Sequence, residues 1–258
     1  MNTILWFGAF VVALFAGMLA MLDFGRRFGN RRLDEDPEGA RTGTSAVEGA
    51  IFALFGLLIA FTFSGAASRF DTRRHLIIQE ANAVGTAWLR LDLLSDTDRA
   101  DMQALFREYL DARLEVYRLL PDLKAAFAEL DRCGKLQGMI WSRAVASTQN
   151  AGGERTRSLL LPALNDMFDI TTVRTMAGQT HPPMVIFSLL FVLGLVCAFL
   201  AGNGMAGTRR RNWAYMIGFA LVTTLTVYVI LDLEYPRLGL IRVDAGDKVL
   251  IQLREGMK

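Results

Sequence analysis

The chain has 258 residues, 52% of them hydrophobic and 21% charged, with a formal net charge of +2. Four windows, Ile4–Leu22, Ala46–Ala66, Met184–Asn203 and Trp213–Leu231, hold 79 residues and one charge, Glu48, while the other 179 residues carry 53 charges. A nearly charge-free run of about 20 residues matches the hydrocarbon thickness of a bilayer. The sequence therefore describes an all-α membrane protein with four spans, and it excludes a soluble cytoplasmic enzyme.

The first window has no positive residues before it and is followed by Asp23, so it reads as a retained span rather than a cleaved signal. Arg26, Arg27, Arg31, Arg32 and Arg41 follow it, and Arg209, Arg210 and Arg211 lie between the third and fourth windows. The positive-inside rule places both of these short loops in the cytoplasm, and both termini and the middle segment outside. The margin is eight charges against seven, because Arg69, Arg73, Arg74, Arg174, Arg237, Arg242 and Lys248 flank the spans on the other side.

The second window is the most informative. Ser45-Ala-Val-Glu48 fits a capping box at a helix start, and the alternative role for Glu48 is a charge at a pore mouth. At 100° per residue Ser45, Gly49, Ala53, Gly56, Ala60 and Ser64 share one stripe. Small residues at this spacing let helices approach closely. Bulky residues border the stripe, Phe52, Phe55, Ile59 and Phe63 on one side and Leu57 and Phe61 on the other. Rings of such side chains around an axis gate a pore by dewetting.

Residues 69–181 contain 15 basic and 15 acidic residues and therefore form neither a nucleic-acid patch nor a polybasic anchor. Apolar residues recur at helical spacing through four stripes: Phe70 to Leu91, Met102 to Leu120, Leu123 to Ala144, and Leu160 to Met176. Pro121, Asn150–Gly153 and His181-Pro182-Pro183 punctuate them. The expected organisation is a first transmembrane hairpin (1–68), an extramembrane helical bundle (69–181), and a second hairpin with a C-terminal tail (182–258). The first and last bundle helices are expected to prolong spans two and three. Gln79, Asn82 and Thr86 border the first stripe and are candidates for contact with a neighbouring subunit.

Chemistry is sparse. The only histidines are His75 and His181, Cys133 and Cys197 are well separated, and no phosphate loop, paired-His motif or nucleophile elbow occurs. Asp232, Glu234, Asp244 and Asp247 lack a His or Cys at a ligating interval and read as solvated or interfacial charges. No enzyme activity, catalytic residue, metal or cofactor is expected.

Four runs, Glu48–Gly56 (EGAIFALFG), Ala60–Asp71 (AFTFSGAASRFD), Glu80–Arg90 (EANAVGTAWLR) and Asp232–Arg242 (DLEYPRLGLIR), resemble the bacterial bestrophin-like domain family of membrane proteins. The resemblance covers nearly the whole chain. It implies a multi-pass protein of a bacterial inner membrane and a remote likeness to bestrophins, pentameric and mostly anion-selective channels whose second span lines a hydrophobic neck. By position that neck falls on Phe55, Ile59 and Phe63 or on Ala53, Leu57 and Phe61. The chain lacks an acidic calcium clasp, is shorter, and has a strongly basic first hairpin. In bestrophins the region between spans two and three is cytoplasmic, opposite to the charge count.

The expectation is thus a homo-oligomer in the lipid bilayer that forms or regulates an ion pathway. The competing expectation is a membrane sensor or interaction protein whose bundle binds a partner or ligand without a conducting pore.

Overall fold

The structure is a computed structural model, and it describes residues 3–35, 45–120, 122–149, 153–208, 211–237 and 239–257. Among the described residues it is 88% helical and has no strand. The elements are α1 (Thr3–Glu35), α2 (Ser45–Arg90), a 3₁₀ turn (Leu91–Leu93), α3 (Asp96–Arg118), α4 (Leu123–Ser147), α5 (Glu154–Gln179), α6 (Met184–Gly204), α7 (Trp213–Glu234) and α8 (Asp244–Gly256). Four helical stretches are long and apolar enough to cross a membrane: Phe7–Glu35, Ser45–Leu93, Glu154–Gly204 and Trp213–Glu234. The chain divides into two compact units, Met1–Ser68 with His181–Gly239 and Arg69–Thr180 with Leu240–Lys258.

In the first unit α1 packs mainly on α6 and also on α7. Leu14, Met18 and Leu22 are buried along α1, and Phe10 meets Phe191 with ring centroids 5.3 Å apart. Hydrocarbon gives apolar side chains no reason to leave lipid for one another, so spans associate through close packing. Two glycines supply it here. A Cβ on Gly25 would overlap the Phe199 carbonyl of α6, and one on Gly202 would overlap the Leu22 carbonyl of α1. The two backbones therefore touch.

Helix α1 continues past the apolar window to Glu35, so Arg26, Arg27, Arg31 and Arg32 are helical rather than in a loop. Its end is tied to the α6–α7 connection. Asn30 Oδ1 accepts from the Gly207 amide at 2.8 Å, and Gly207 sits at φ +79°, a left-handed turn that suits glycine. Arg26 donates to the Thr208 carbonyl at 2.9 Å, and Asp23 pairs with both Arg27 and Arg211. The basic end of α1 and the α6–α7 connection therefore meet at one end of this unit. Arg41, Arg209 and Arg210 lie outside the described residues.

The second unit is a helical bundle around Ile77, Val84 and Leu91 of α2, Met102, Phe106 and Tyr109 of α3, Ile140 and Ala144 of α4, and Leu160 and Leu164 of α5. Ser95 caps α3 by accepting from the Asp98 amide, and Asp122 caps α4 through the Ala125 amide. Leu123 and Phe127, placed by the sequence on a core stripe, are exposed in the first turns of α4, at the end of the α3–α4 hairpin where neighbours run out. Met176, near the end of α5, is likewise half-exposed. Pro121 and residues 150–152 lie outside the described residues.

Two differences from the sequence reading follow from local chemistry. Helix α2 does run unbroken from Ser45 to Arg90, but α5 ends at Gln179 and α6 starts at Met184, because consecutive prolines at 182 and 183 cannot continue a helix. Arg73 satisfies the end of α5, donating to the carbonyls of Ala177 and Thr180 at 3.1 and 2.9 Å. The stretch read as a tail contains α8, which buries Val243, Leu250 and Met257 in the core of the second unit. Arg254 fastens it to Asp111 through two bonds of 2.7 and 2.8 Å.

Substituting Gly202 or Gly25 with alanine is expected to force α1 and α6 apart and cost about 1–3 kcal/mol, read as a lowered melting temperature in detergent. Gly218→Ala on α7, where a Cβ meets nothing within 4 Å, is the neutral control. Both native cysteines are buried, Cys133 at 1% exposure and Cys197 at 0%, so an impermeant maleimide should leave the unaltered protein unlabelled. Ala146→Cys, on the exposed side of α4, should then report sidedness. Labelling in intact cells fits the charge count, and labelling only after permeabilisation fits the family resemblance.

Candidate functional site

The membrane half of α2 has one packed side and one open side. Phe55 is buried with its ring 3.6 Å from where a Cβ on Gly194 of α6 would stand, Ala66 is fully buried, and Phe52 meets Phe219 of α7 edge-on with centroids 6.4 Å apart. Ile59 is half-buried on the same side, and Phe63 at its margin is exposed. Roughly 200° around the helix, at 100° per residue, Ala53, Leu57 and Phe61 are exposed, Leu57 at 53% and Phe61 at 67%.

The small stripe belongs to the open side. Ser45, Gly49, Ala53, Gly56, Ala60 and Ser64 are all exposed, and a Cβ on Gly49 or Gly56 would meet nothing within 4 Å. The close helix approach that small residues promise occurs at Gly25 and Gly202 within this unit, and not at Gly49 or Gly56 of α2. Glu48 is half-buried in the first turn of α2, where a carboxylate complements the exposed amides of the helix start. Ser45 is itself the first helical residue, so the cap position falls on residue 44, outside the described residues. Gln79, Asn82 and Thr86 are exposed, opposite the buried Ile77, Ala81 and Val84.

A charged cluster closes the carboxyl end of α7. Asp232 and Glu234 are buried at 5% and 0% exposure, and His181 Nδ1 lies 3.0 Å from Glu234 Oε1. His181 also stacks on Tyr235 at 4.3 Å, and Phe7 meets the same ring at 4.7 Å. The solvated reading of Asp232 and Glu234 is therefore wrong. The histidine that pairs with Glu234 comes from 53 residues earlier in the chain, beyond any local ligating interval.

Asp247 is also no solvated charge, because it joins the polar centre of the second unit; the Asp244 side chain lies outside the described residues. Glu80 of α2 is fully buried. Its Oε1 accepts from Arg113 Nε at 2.7 Å and its Oε2 from Arg174 Nη1 at 2.5 Å, while Arg174 Nη2 reaches Asp247 of α8 at 2.9 Å. Arg174 lies over the Tyr117 ring at 4.0 Å, and Arg113 donates to the Tyr117 hydroxyl at 2.8 Å. Beside them the buried Tyr109 hydroxyl bonds Thr171 at 2.8 Å, and burial pushes its ionisation up to about 12. Burial likewise pushes the Cys133 thiol up to about 11, which leaves it unreactive.

Four helices, α2, α3, α5 and α8, thus meet in one ion network, with Glu80 between Arg113 and Arg174 and Asp247 on the far side of Arg174. Removing Glu80 takes a carboxylate from both buried guanidinium groups and leaves Arg174 with Asp247. Glu80→Ala should cost about 3–5 kcal/mol, measured as a lower unfolding midpoint and faster proteolysis of the second unit. Glu80→Leu combined with Arg113→Met should cost less than Glu80→Ala alone.

Glu80 is buried between the exposed Gln79 and Asn82, and only those two neighbours stand out as polar in the sequence reading. The missed signal is spacing: Glu80 lies three residues after Ile77 and four before Val84, on the core face of the stripe.

No curated protein and no solved structure matches the chain significantly. A family model does match, over residues 11–246, and takes in α2 with its open face, Glu80, Arg113 and Arg174 of the polar centre, and His181, Asp232 and Glu234 at the end of α7. The chain belongs to the family of the bestrophin-like domain.

Proposed function

We propose that this multi-pass membrane protein assembles into a homo-oligomer in a bacterial inner membrane and forms an ion pathway, with α2 supplying the constriction and no catalytic reaction involved. The observation that carries the reading is the open side of α2. Only 11% of its most apolar stretch is buried, against 39% for α7. A helix that leaves Ala53, Leu57 and Phe61 unpacked has a face available to an axis shared with other copies. Its small stripe allows neighbouring backbones to come close.

Of the two registers, the reading takes Ala53, Leu57 and Phe61. Phe55 packs into its own protomer, and Ile59 lies on that same side. Thr62 contributes no polar group to such a lining, because its hydroxyl donates back to the helix at the Leu58 and Ile59 carbonyls, 2.5 and 3.1 Å away. A ring of Leu57 and Phe61 side chains closes by expelling water and opens when the ring widens. Glu48 stands near the start of the same helix as an acidic group at the mouth. Anions are the favoured cargo by family likeness.

The sensor reading draws on a different observation. Helix α2 contributes residues to both compact units without a break, so one continuous helix carries the membrane face and the Glu80 centre alike. That feature suits gating of a pore as well as signalling, and we treat it as the regulatory part of the channel reading.

Purified protein in liposomes should show ion flux above empty vesicles. Leu57→Ala and Phe61→Ala should each raise the flux several-fold by thinning the apolar ring. Phe55→Ala should leave the flux per folded protein nearly unchanged while costing about 3–5 kcal/mol of stability. Absence of flux in the unaltered protein and in both open-face variants overturns the proposal, as does a monomeric particle in electron micrographs.

A further inference from the structure

Helix α1 is closed on one side and open on the other. Leu14, Met18, Leu22 and Gly25 are buried on the side turned to α6. At 100° per residue Ala13, Ala16, Ala20, Arg27 and Arg31 share about 60° of arc on the opposite side, and all five are exposed. The alanines belong to the apolar window, so this side faces hydrocarbon, and the two arginines continue it beyond Leu22, where the window ends. At 1.5 Å per residue Arg27 stands about 7–8 Å past Leu22, within the headgroup layer of a bilayer. Helical side chains lean toward the amino end of their helix, which here is back toward the lipid.

Aromatic groups mark the same boundary. Phe24 and Phe28 flank the arginines at 57% and 47% exposure, with ring centroids 5.7 and 5.6 Å from that of Phe199 on α6. Trp213 and Tyr215, exposed at the start of α7, are the residue types that settle at the membrane–water interface. They are tied to this end of α1 through Arg211, which pairs with Asp23 and lies over the Trp213 ring at 4.7 Å.

The charge balance selects the guest. Among the described residues this end carries five arginines, Arg26, Arg27, Arg31, Arg32 and Arg211, against the carboxylates of Asp23, Asp34 and Glu35. Asp23 takes Arg27 through Nε at 2.9 Å, and a guanidinium has four further N–H donors. Asp34 and Glu35 lie about a turn farther from the window than Arg31, so the positive excess falls on the side of the lipid. A free phosphate has no use for an apolar side with open phenylalanine rings. A zwitterionic headgroup brings a cation of its own to the arginines. A helix of another copy seated there would take two cations out of water with no phosphate to meet them.

We propose that Arg27 and Arg31 hold the phosphodiester of an anionic phospholipid whose chains lie along the open side of α1, past Phe24 and Ala20. The assignment does not rest on α2 conducting ions.

Native mass spectrometry of the full-length protein in detergent, titrated with phosphatidylglycerol or with phosphatidylcholine of the same chains, tests it. The first phosphatidylglycerol is expected to bind at least about tenfold tighter than the first phosphatidylcholine. Arg27→Gln combined with Arg31→Gln should remove most of that preference, and Arg31→Glu alone should weaken phosphatidylglycerol about tenfold. Arg118→Gln combined with Arg155→Gln takes the same charge from exposed positions of the second unit and should leave the preference intact. Equal binding of the two lipids to the unaltered protein overturns the proposal, as does a preference lost equally in this control. A preference that survives the α1 changes also overturns it, and where the oligomer dissociates at the same time the face is a contact between copies. Glycerophosphoglycerol, the same headgroup without chains, should fail to displace the lipid at about a hundredfold excess; displacement would assign the arginines to a free phosphate instead. The lipid comparison uses the unaltered protein and Arg31 is exposed, so the outcome is decided even if the double variant fails to fold.

Discussion

A peptide group in hydrocarbon has no water to bind, so each amide of a spanning segment must find its partner within its own helix or on a neighbour. That requirement makes the four apolar stretches helical before any side chain is considered. It also removes the usual force that draws helices together, since a leucine gains little by exchanging lipid for another leucine. What remains is shape. In the first unit shape is supplied where α1 and α6 lie backbone against backbone at Gly25 and Gly202. The aromatic pairs between Phe10 and Phe191 and between Phe24 and Phe199 flank that line of contact. Helix α2 packs Phe52 on Phe219 and Phe55 beside Gly194 and buries Ala66, while Leu57 and Phe61 on its other side are exposed.

The second unit meets the reverse difficulty, because it buries charge. Taking Glu80, Arg113 and Arg174 away from water costs several kcal/mol per ion, which mutual attraction offsets only with close geometry. The geometry here is close: the carboxylate takes one guanidinium on each oxygen, from residues 33 and 94 positions away in the chain. Buried ion networks often contribute no more net stability than an apolar core of the same volume, and a helix placed in the wrong register would leave a charge here without its partner. The surface pairs, such as Arg132 with Glu108 and Glu129, carry little of this burden.

The four spans were legible from the sequence because a charge-free run of bilayer length suits little besides a helix that crosses lipid. The bundle stripes were legible too, since Ile77, Val84, Leu91, Met102, Tyr109, Ile140 and Leu164 recur at helical spacing and are all buried. The rest depended on distant partners. Nothing near Asp232 or Glu234 in the chain announces burial, because their neighbours Phe7 and His181 come from other elements. The α8 stripe is short and mixed with charges, so only its docking on Ile77 and Asp111 distinguishes it from a solvated tail. On α2 the sequence left two registers open; in the structure Phe55 packs beside Gly194 of α6, while Leu57 and Phe61 are exposed.

The placement of α8 bears on how the protein is made. Arg174 is bound on one side by Glu80 and on the other by Asp247, and Leu250 and Met257 close the apolar core beneath them. Chains leave the ribosome amino end first, at about 5–20 residues per second. Glu80, Arg113 and Arg174 therefore emerge before Asp247, Leu250 and Met257, and until α8 follows them Arg174 lacks its second carboxylate and the core of the second unit lacks the side chains that close it.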